Sequence, residues 1–178
     1  MLRSGRRKGI IPDMAQSGIE PAQSPDLAAR YALLAVEIDA VVEGEPNLVA
    51  RMASVAAMLA QAFDHYFWTG FYLVDEESRY QLVIGPYQGT LGCLRIDFGK
   101  GVCGAAAARG ETLIVPDVAA FPGHIACDSR SRSEIVVPVR DRAGALIAVL
   151  DVDSTELGAF SEIDARGLEE IVRPVFAR

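Results

Sequence analysis

The chain holds only two histidines, His65 and His124, a single tryptophan, Trp68, and three cysteines among its 178 residues. No Cys-x-x-Cys pair occurs, since ten positions separate Cys93 from Cys103 and twenty-four separate Cys103 from Cys127. Structural zinc sites want close Cys or His pairs, so that class has little support. Apolar runs fall far short of the ~18 residues that a membrane helix requires. No apolar stretch of signal-peptide length follows the basic Arg3, Arg6, Arg7 and Lys8. Positive charge is also scarce: 17 Lys and Arg against 24 Asp and Glu give −7, which argues against a nucleic-acid partner.

What is present is an ordinary globular composition, 51% apolar and 23% charged. A chain of this length buries roughly 70% of its unfolded surface, so one domain needs neither disulfide nor metal to fold. An odd number of cysteines without a secretion signal favours a cytoplasmic protein whose thiols are free, metal-bound or catalytic. Pro12 and Pro21 punctuate a loose extension over residues 1–24, in which Met14 offers an internal start. The domain itself is expected over residues 25–178.

Ser24-Pro25-Asp26 has the form of a helix start, and Leu27, Tyr31, Leu34, Ile38 and Val41 recur at helical spacing up to about Val42. A second helix is expected from Asn47 to Phe63. Strands are expected over Trp68–Val74, Tyr80–Ile84, Leu91–Ile96 and Leu113–Val115, with a short glycine-bracketed helix over Ala105–Arg109. Glu134–Arg140 and Ala145–Asp153 form a β-branched hairpin around the four-residue loop Asp141-Arg142-Ala143-Gly144. Ser161-Glu162-Ile163-Asp164 has capping-box form and opens a terminal helix. The layout is α+β: a central antiparallel sheet with the N- and C-terminal helices packed on one face.

Three groups of residues can carry chemistry. Cys127 lies in a polar, turn-rich stretch where an inert core thiol is unexpected, whereas Cys103, between Val102 and Gly104, can equally be a small buried hydrophobe. His124 stands three residues before Cys127, so a Cys-Cys-Cys-His metal set remains an alternative. Asp151 and Asp153 alternate on one strand and share a face, and the hairpin brings Glu134 beside them. Three clustered carboxylates repel one another and raise at least one pKa, unless they line a solvated edge. Such a cluster can hold a cation or donate a proton. Trp68 and Tyr72, four apart on one strand, share a face as core or as the wall of a small pocket.

Trp68-Thr69-Gly70-Phe71-Tyr72, Gly85-Pro86-Tyr87-Gln88-Gly89, Gly99-Lys100-Gly101-Val102-Cys103-Gly104, Gly123-His124-Ile125-Ala126-Cys127-Asp128, Ser133-Glu134-Ile135-Val136 and Leu150-Asp151-Val152-Asp153-Ser154 follow one another along the chain. In that order they resemble the free methionine-(R)-sulfoxide reductases, a family of the GAF fold, from roughly Leu27 to Val172. The resemblance implies a thiol-dependent reductase that uses no cofactor and no metal. It makes Cys127 the nucleophile that becomes a sulfenic acid, Cys93 the resolving thiol and Cys103 a secondary partner. Thioredoxin would reduce the resulting disulfide. Trp68 and Tyr72 would surround the substrate's methyl group, and Glu134, Asp151 and Asp153 would bind its ammonium or protonate its oxygen. A homodimer through the terminal helices fits the fold. The competing readings are a non-catalytic GAF small-molecule sensor and a peroxide-sensing redox module.

Overall fold

The computed structural model describes residues 25–125 and 127–177. The expected loose segment 1–24, and with it the Ser24 cap, lies outside the described residues. Four helices and six strands follow in the order α1 (Pro25–Val41), α2 (Leu48–Ala62), β1 (Trp68–Val74), β2 (Gln81–Gln88), β3 (Arg95–Asp97), α3 (Gly101–Arg109), β4 (Leu113–Val115), β5 (Ser133–Arg140), β6 (Leu146–Ser154) and α4 (Glu162–Phe176). The sheet runs β3-β2-β1-β6-β5-β4, antiparallel at every pair, so β6 and β1 lie at its centre.

Period-two alternation assigns each face of the sheet. On β6, Ala148, Leu150 and Val152 join Phe71 of β1 and Ile135, Val137 and Val139 of β5 against α1, α2 and α4. This is the larger core, and each fully buried Leu, Ile or Phe in it contributes roughly 1.5–3 kcal/mol. The opposite face carries Trp68, Tyr72, Val136 and Val149, covered by α3 and by irregular chain. The terminal helices therefore share one face, as expected, while α3 has the other.

The helix ends are set locally. Asn47 caps α2 by accepting from the Ala50 N–H at 3.0 Å. Ser161 and Asp164 form the reciprocal capping box of α4. Asp164 also accepts from the Tyr31 hydroxyl at 2.8 Å and so ties α4 to α1. Gly167 makes that contact possible, because a Cβ there would lie 2.2 Å from the Tyr31 ring.

Four expectations differ from the structure, and the first concerns α3, which begins at Gly101, four residues before the expected Ala105. Strand β2 continues past Ile84 to Gln88, because Gly85-Pro86 forms an irregularity in its pairing with β1 and does not end the strand. A bulge leaves the proline without a ladder bond to donate. The hairpin loop spans five residues, 141–145, closed by the Asp141 N–H on the Ala145 carbonyl at 2.9 Å. Strand β3 covers only Arg95–Asp97, whereas Leu91–Ile96 was expected. Leu91 and Leu94 are 76% and 70% exposed and pack into no core, so their apolar character misled the strand assignment. Among the described residues, no helix is long and apolar enough to cross a membrane.

Candidate active site

The α3 side of the sheet holds a pocket bordered by Trp68, Tyr72, Cys103, Cys127, Glu134, Asp151 and Asp153, so seven of the eight expected residues line one space. The eighth, Cys93, is joined to Cys127 by a disulfide with a Cα–Cα distance of 5.4 Å. Each member arrives by a local rule. Trp68 and Tyr72 alternate on β1 with Phe71 and Leu73 of the larger core and so point to the opposite face, where their rings stack with centroids 5.7 Å apart. In the β5–β6 register Glu134 faces Asp153 and Val136 faces Asp151, which puts all three carboxylates on the α3 face. Since β6 is a central strand, the solvated-edge alternative is ruled out.

Burial decides the electrostatics. Glu134 and Asp151 are each 5% exposed. Burial pushes the pKa of Glu134 well above the ordinary carboxylate range, and the negative charges of Asp151 and Asp153 push it further. Asp151 rises for the same reasons, burial first and Asp153 second. Asp153 is raised to about 6, mainly by burial, against the opposing Ser131 hydrogen bond. Cys103 is the free cysteine, and its thiol lies 3.7 Å from Glu134 Oε1 in donor geometry. Burial, then the charges of Asp151 and Glu134, hold that thiol protonated. His124 Nε2 lies 4.0 Å from Glu134 Oε2, but burial lowers its pKa, so the pair is a contact of two neutral groups.

Donor atoms of Cys103, Glu134 and Asp151 all lie within 4.8 Å of one another, the set here that a metal ion could use. The Cys-Cys-Cys-His alternative does not form: Cys93 and Cys127 are bonded to each other. One oxygen remains conspicuous. Asp151 Oδ1 is buried and has no hydrogen-bond partner, a condition that costs free energy unless a ligand or proton satisfies it.

Residues that the sequence did not single out complete the pocket. The Trp68 indole N–H donates to the Thr90 carbonyl at 2.9 Å, and the Thr90 hydroxyl donates to Asp128 Oδ2 at 2.8 Å. These bonds and the disulfide hold the segment before β3 against the loop that carries Cys127. Arg130 grips Asp128 through two side-chain bonds, 3.0 and 2.8 Å, which chiefly hold that acid's pKa below the usual range. Lys100, at the N-terminus of α3, and Ser131 also line the pocket. In the sequence Lys100 stood out only as a member of the Gly99–Gly104 run that precedes the short helix.

Residues 38–175 match the family model described as GAF domain. The free methionine-R-sulfoxide reductase of Escherichia coli (strain K12) is 42% identical over 142 residues, 80% of this chain and 84% of that protein. The free methionine-R-sulfoxide reductase of Neisseria meningitidis, solved in complex with its substrate, is 50% identical. It superposes with a TM-score of 0.80 over 85% of this chain and 89% of that one. The reduced form of fRMsr from Staphylococcus aureus is 39% identical, with a TM-score of 0.77 over 82% and 92% of the two chains.

Proposed function

The chain belongs to the GAF-domain family and, within it, to the free methionine-R-sulfoxide reductases, and from that premise we propose how its own residues carry the reaction. The substrate is free L-methionine (R)-sulfoxide and the product methionine. The observation that carries this reading is the redox pair Cys93–Cys127 at the mouth of a pocket whose buried wall is the Glu134, Asp151 and Asp153 cluster.

A sulfoxide sulfur is a poor electrophile until its oxygen is protonated. Glu134, kept neutral by burial and by its acidic neighbours, is the proton donor. The Cys127 thiolate then attacks sulfur. Oxygen passes to the cysteine, two electrons pass to the substrate sulfur, and methionine leaves as the thioether while Cys127 becomes a sulfenic acid. Cys93 condenses with it, expelling water and forming the disulfide. A dithiol protein of the thioredoxin class returns two electrons by thiol exchange, which suits a reducing, cytoplasmic setting. Cys103 holds Glu134 in place through its thiol. Asp151 receives the substrate ammonium, which protein-bound methionine sulfoxide lacks, and the Trp68 and Tyr72 rings enclose the methyl group.

With dithiothreitol, the protein should consume the R isomer of free methionine sulfoxide and leave the S isomer. Cys93→Ser should release about one equivalent of methionine and then fail to recycle with thioredoxin. Normal cycling of that variant removes Cys93 from its role, and no consumption by the wild type removes the reading in favour of a ligand sensor.

The same proposal includes a dimer. Leu33 and Val36 on the outer face of α1 are 62% and 67% exposed, an apolar strip suited to the same strip of a second copy. Sedimentation velocity should give about twice the 19.1 kDa chain mass, and Leu33→Glu with Val36→Glu should halve it.

A further inference from the structure

The disulfide holds Cys93 beside Cys127 once it exists, but it cannot bring them together beforehand. The two lie 34 positions apart, on irregular chain that covers residues 89–94 before β3 and 121–132 before β5. Closing so long a loop costs entropy. That cost slows disulfide formation unless other bonds already hold the two stretches together.

Such a bond stands next to the sulfurs. Thr90, three residues before Cys93, donates its hydroxyl to Asp128 Oδ2 at 2.8 Å, and Asp128 directly follows Cys127. Each end of that bond is fixed from behind. The Thr90 carbonyl accepts from the Trp68 indole N–H at 2.9 Å. Asp128 Oδ1 accepts from the Arg130 backbone N–H at 2.9 Å and from its Nε–H at 3.0 Å. The Arg130 guanidinium in turn lies over the Phe67 ring, 4.6 Å from its centroid. Phe67 immediately precedes β1, and its N–H donates to the Asp153 carbonyl of β6 at 2.8 Å. Both cysteine-bearing stretches are thus tied to one place, the start of β1 at the centre of the sheet. Glycines let the first stretch lie close against it. A Cβ on Gly89 would stand 2.8 Å from the Trp68 ring, and one on Gly92 would stand 2.9 Å from the Tyr72 hydroxyl oxygen.

We propose that Thr90 and Asp128 are positioning residues for the resolving step: their hydrogen bond persists while the disulfide is open and presents Cys93 to the Cys127 sulfenic acid. The Cys93 thiolate forms the S–S bond as the S–O bond on Cys127 breaks, and the oxygen takes a proton and leaves as water. The proposal rests on the reductase reading and deepens it. Fast resolution limits the time in which the sulfenic acid is open to further, irreversible oxidation.

Full-length wild type, Thr90→Val and Thr90→Ser are compared in two measurements. The first needs no sulfoxide. In glutathione buffers of varied ratio, the protein dithiol exchanges with glutathione disulfide to give the protein disulfide and two glutathiones. The fraction oxidised, counted by mass after acid quenching and alkylation, gives the effective concentration of the thiol pair. Thr90→Val should lower it roughly 10-fold, the scale of one hydrogen bond to a charged acceptor. Thr90→Ser keeps the hydroxyl and should restore most of it. The second measurement follows a single turnover of reduced protein on L-methionine (R)-sulfoxide by rapid quench. Thr90→Val should form the disulfide roughly 10-fold more slowly and yield more sulfenic acid to a trap. Methionine release should stay within about 2-fold, because the carbonyl that holds Trp68 is kept. An unchanged effective concentration, an unchanged rate of disulfide formation, or no rescue by Thr90→Ser overturns the positioning role. So does an equal loss of methionine release and resolution, the mark of a merely structural residue. A lowered effective concentration, rescued by serine, in a protein that turns over no sulfoxide removes the reductase reading and keeps the clamp on the thiol pair.

Discussion

Cys127→Ser should lower turnover by at least about 10³-fold and abolish the single stoichiometric release of methionine that precedes recycling. Serine keeps the shape but forms no thiolate at neutral pH and cannot store the transferred oxygen as a sulfenic acid. Three thiols compete for this role, and their surroundings separate them. Cys103 is 4% exposed and held protonated by burial and two carboxylates, the reverse of what a nucleophile needs. Cys127 is exposed on an irregular loop at the pocket's rim, and the neighbouring Asp128 charge is answered by Arg130. Cys93 is half-buried, already within bonding distance of Cys127, and absent from the pocket lining. Rapid-quench measurement of methionine per enzyme, with a sulfenic-acid trap, decides the matter. Cys103→Ser should release nearly one equivalent and Cys127→Ser none; the opposite pattern transfers the role to Cys103.

Much of this site was legible in the sequence because it sits on regular strands. Alternation alone put Asp151 with Asp153 and Trp68 with Tyr72, and a short hairpin brought Glu134 to them. The Ser161 capping box and the Asn47 boundary are local codes that tertiary packing left alone. The pairing of Cys93 with Cys127 was different in kind. It came from family resemblance, since 34 positions of separation predict no contact. The missed features share a physical cause: Thr90, Asp128 and Ser131 lie on irregular chain whose path is set by long-range hydrogen bonds, not by a period. Leu91 and Leu94 show the converse error, where apolar residues at the surface of a loop imitated a strand.

Glu134→Gln is expected to separate stability from activity. The amide keeps the side chain's shape and can still accept from the Cys103 thiol at the Oε1 position, but it is no longer an acid. Loss of a general acid costs about 10²–10⁴-fold in kcat. In wild type the donor must be protonated, so activity should fall as pH rises through the raised pKa of Glu134. That limb should vanish from the small residual rate of the variant. The effect on folding has the opposite sign. A carboxyl whose folded-state pKa is raised contributes fully below its unfolded pKa of about 4, where both states are protonated. The contribution is lost as pH climbs through the folded-state value, because the native site disfavours the charge that the unfolded chain carries freely. Glu134→Gln removes that loss, so wild type and variant should melt together near pH 4 while the variant is the more stable at pH 8. A gain of about 1 kcal/mol there raises Tm by about 2–4 °C for a chain of this length. Asp151→Asn should also gain stability at pH 8, since it too removes a buried carboxylate, but should raise KM because the substrate ammonium loses its partner. Scanning calorimetry at both pH values beside a pH–rate profile tests the assignment. A variant that is less stable at every pH, or that keeps the wild-type pH limb, takes the proton donor's role away from Glu134.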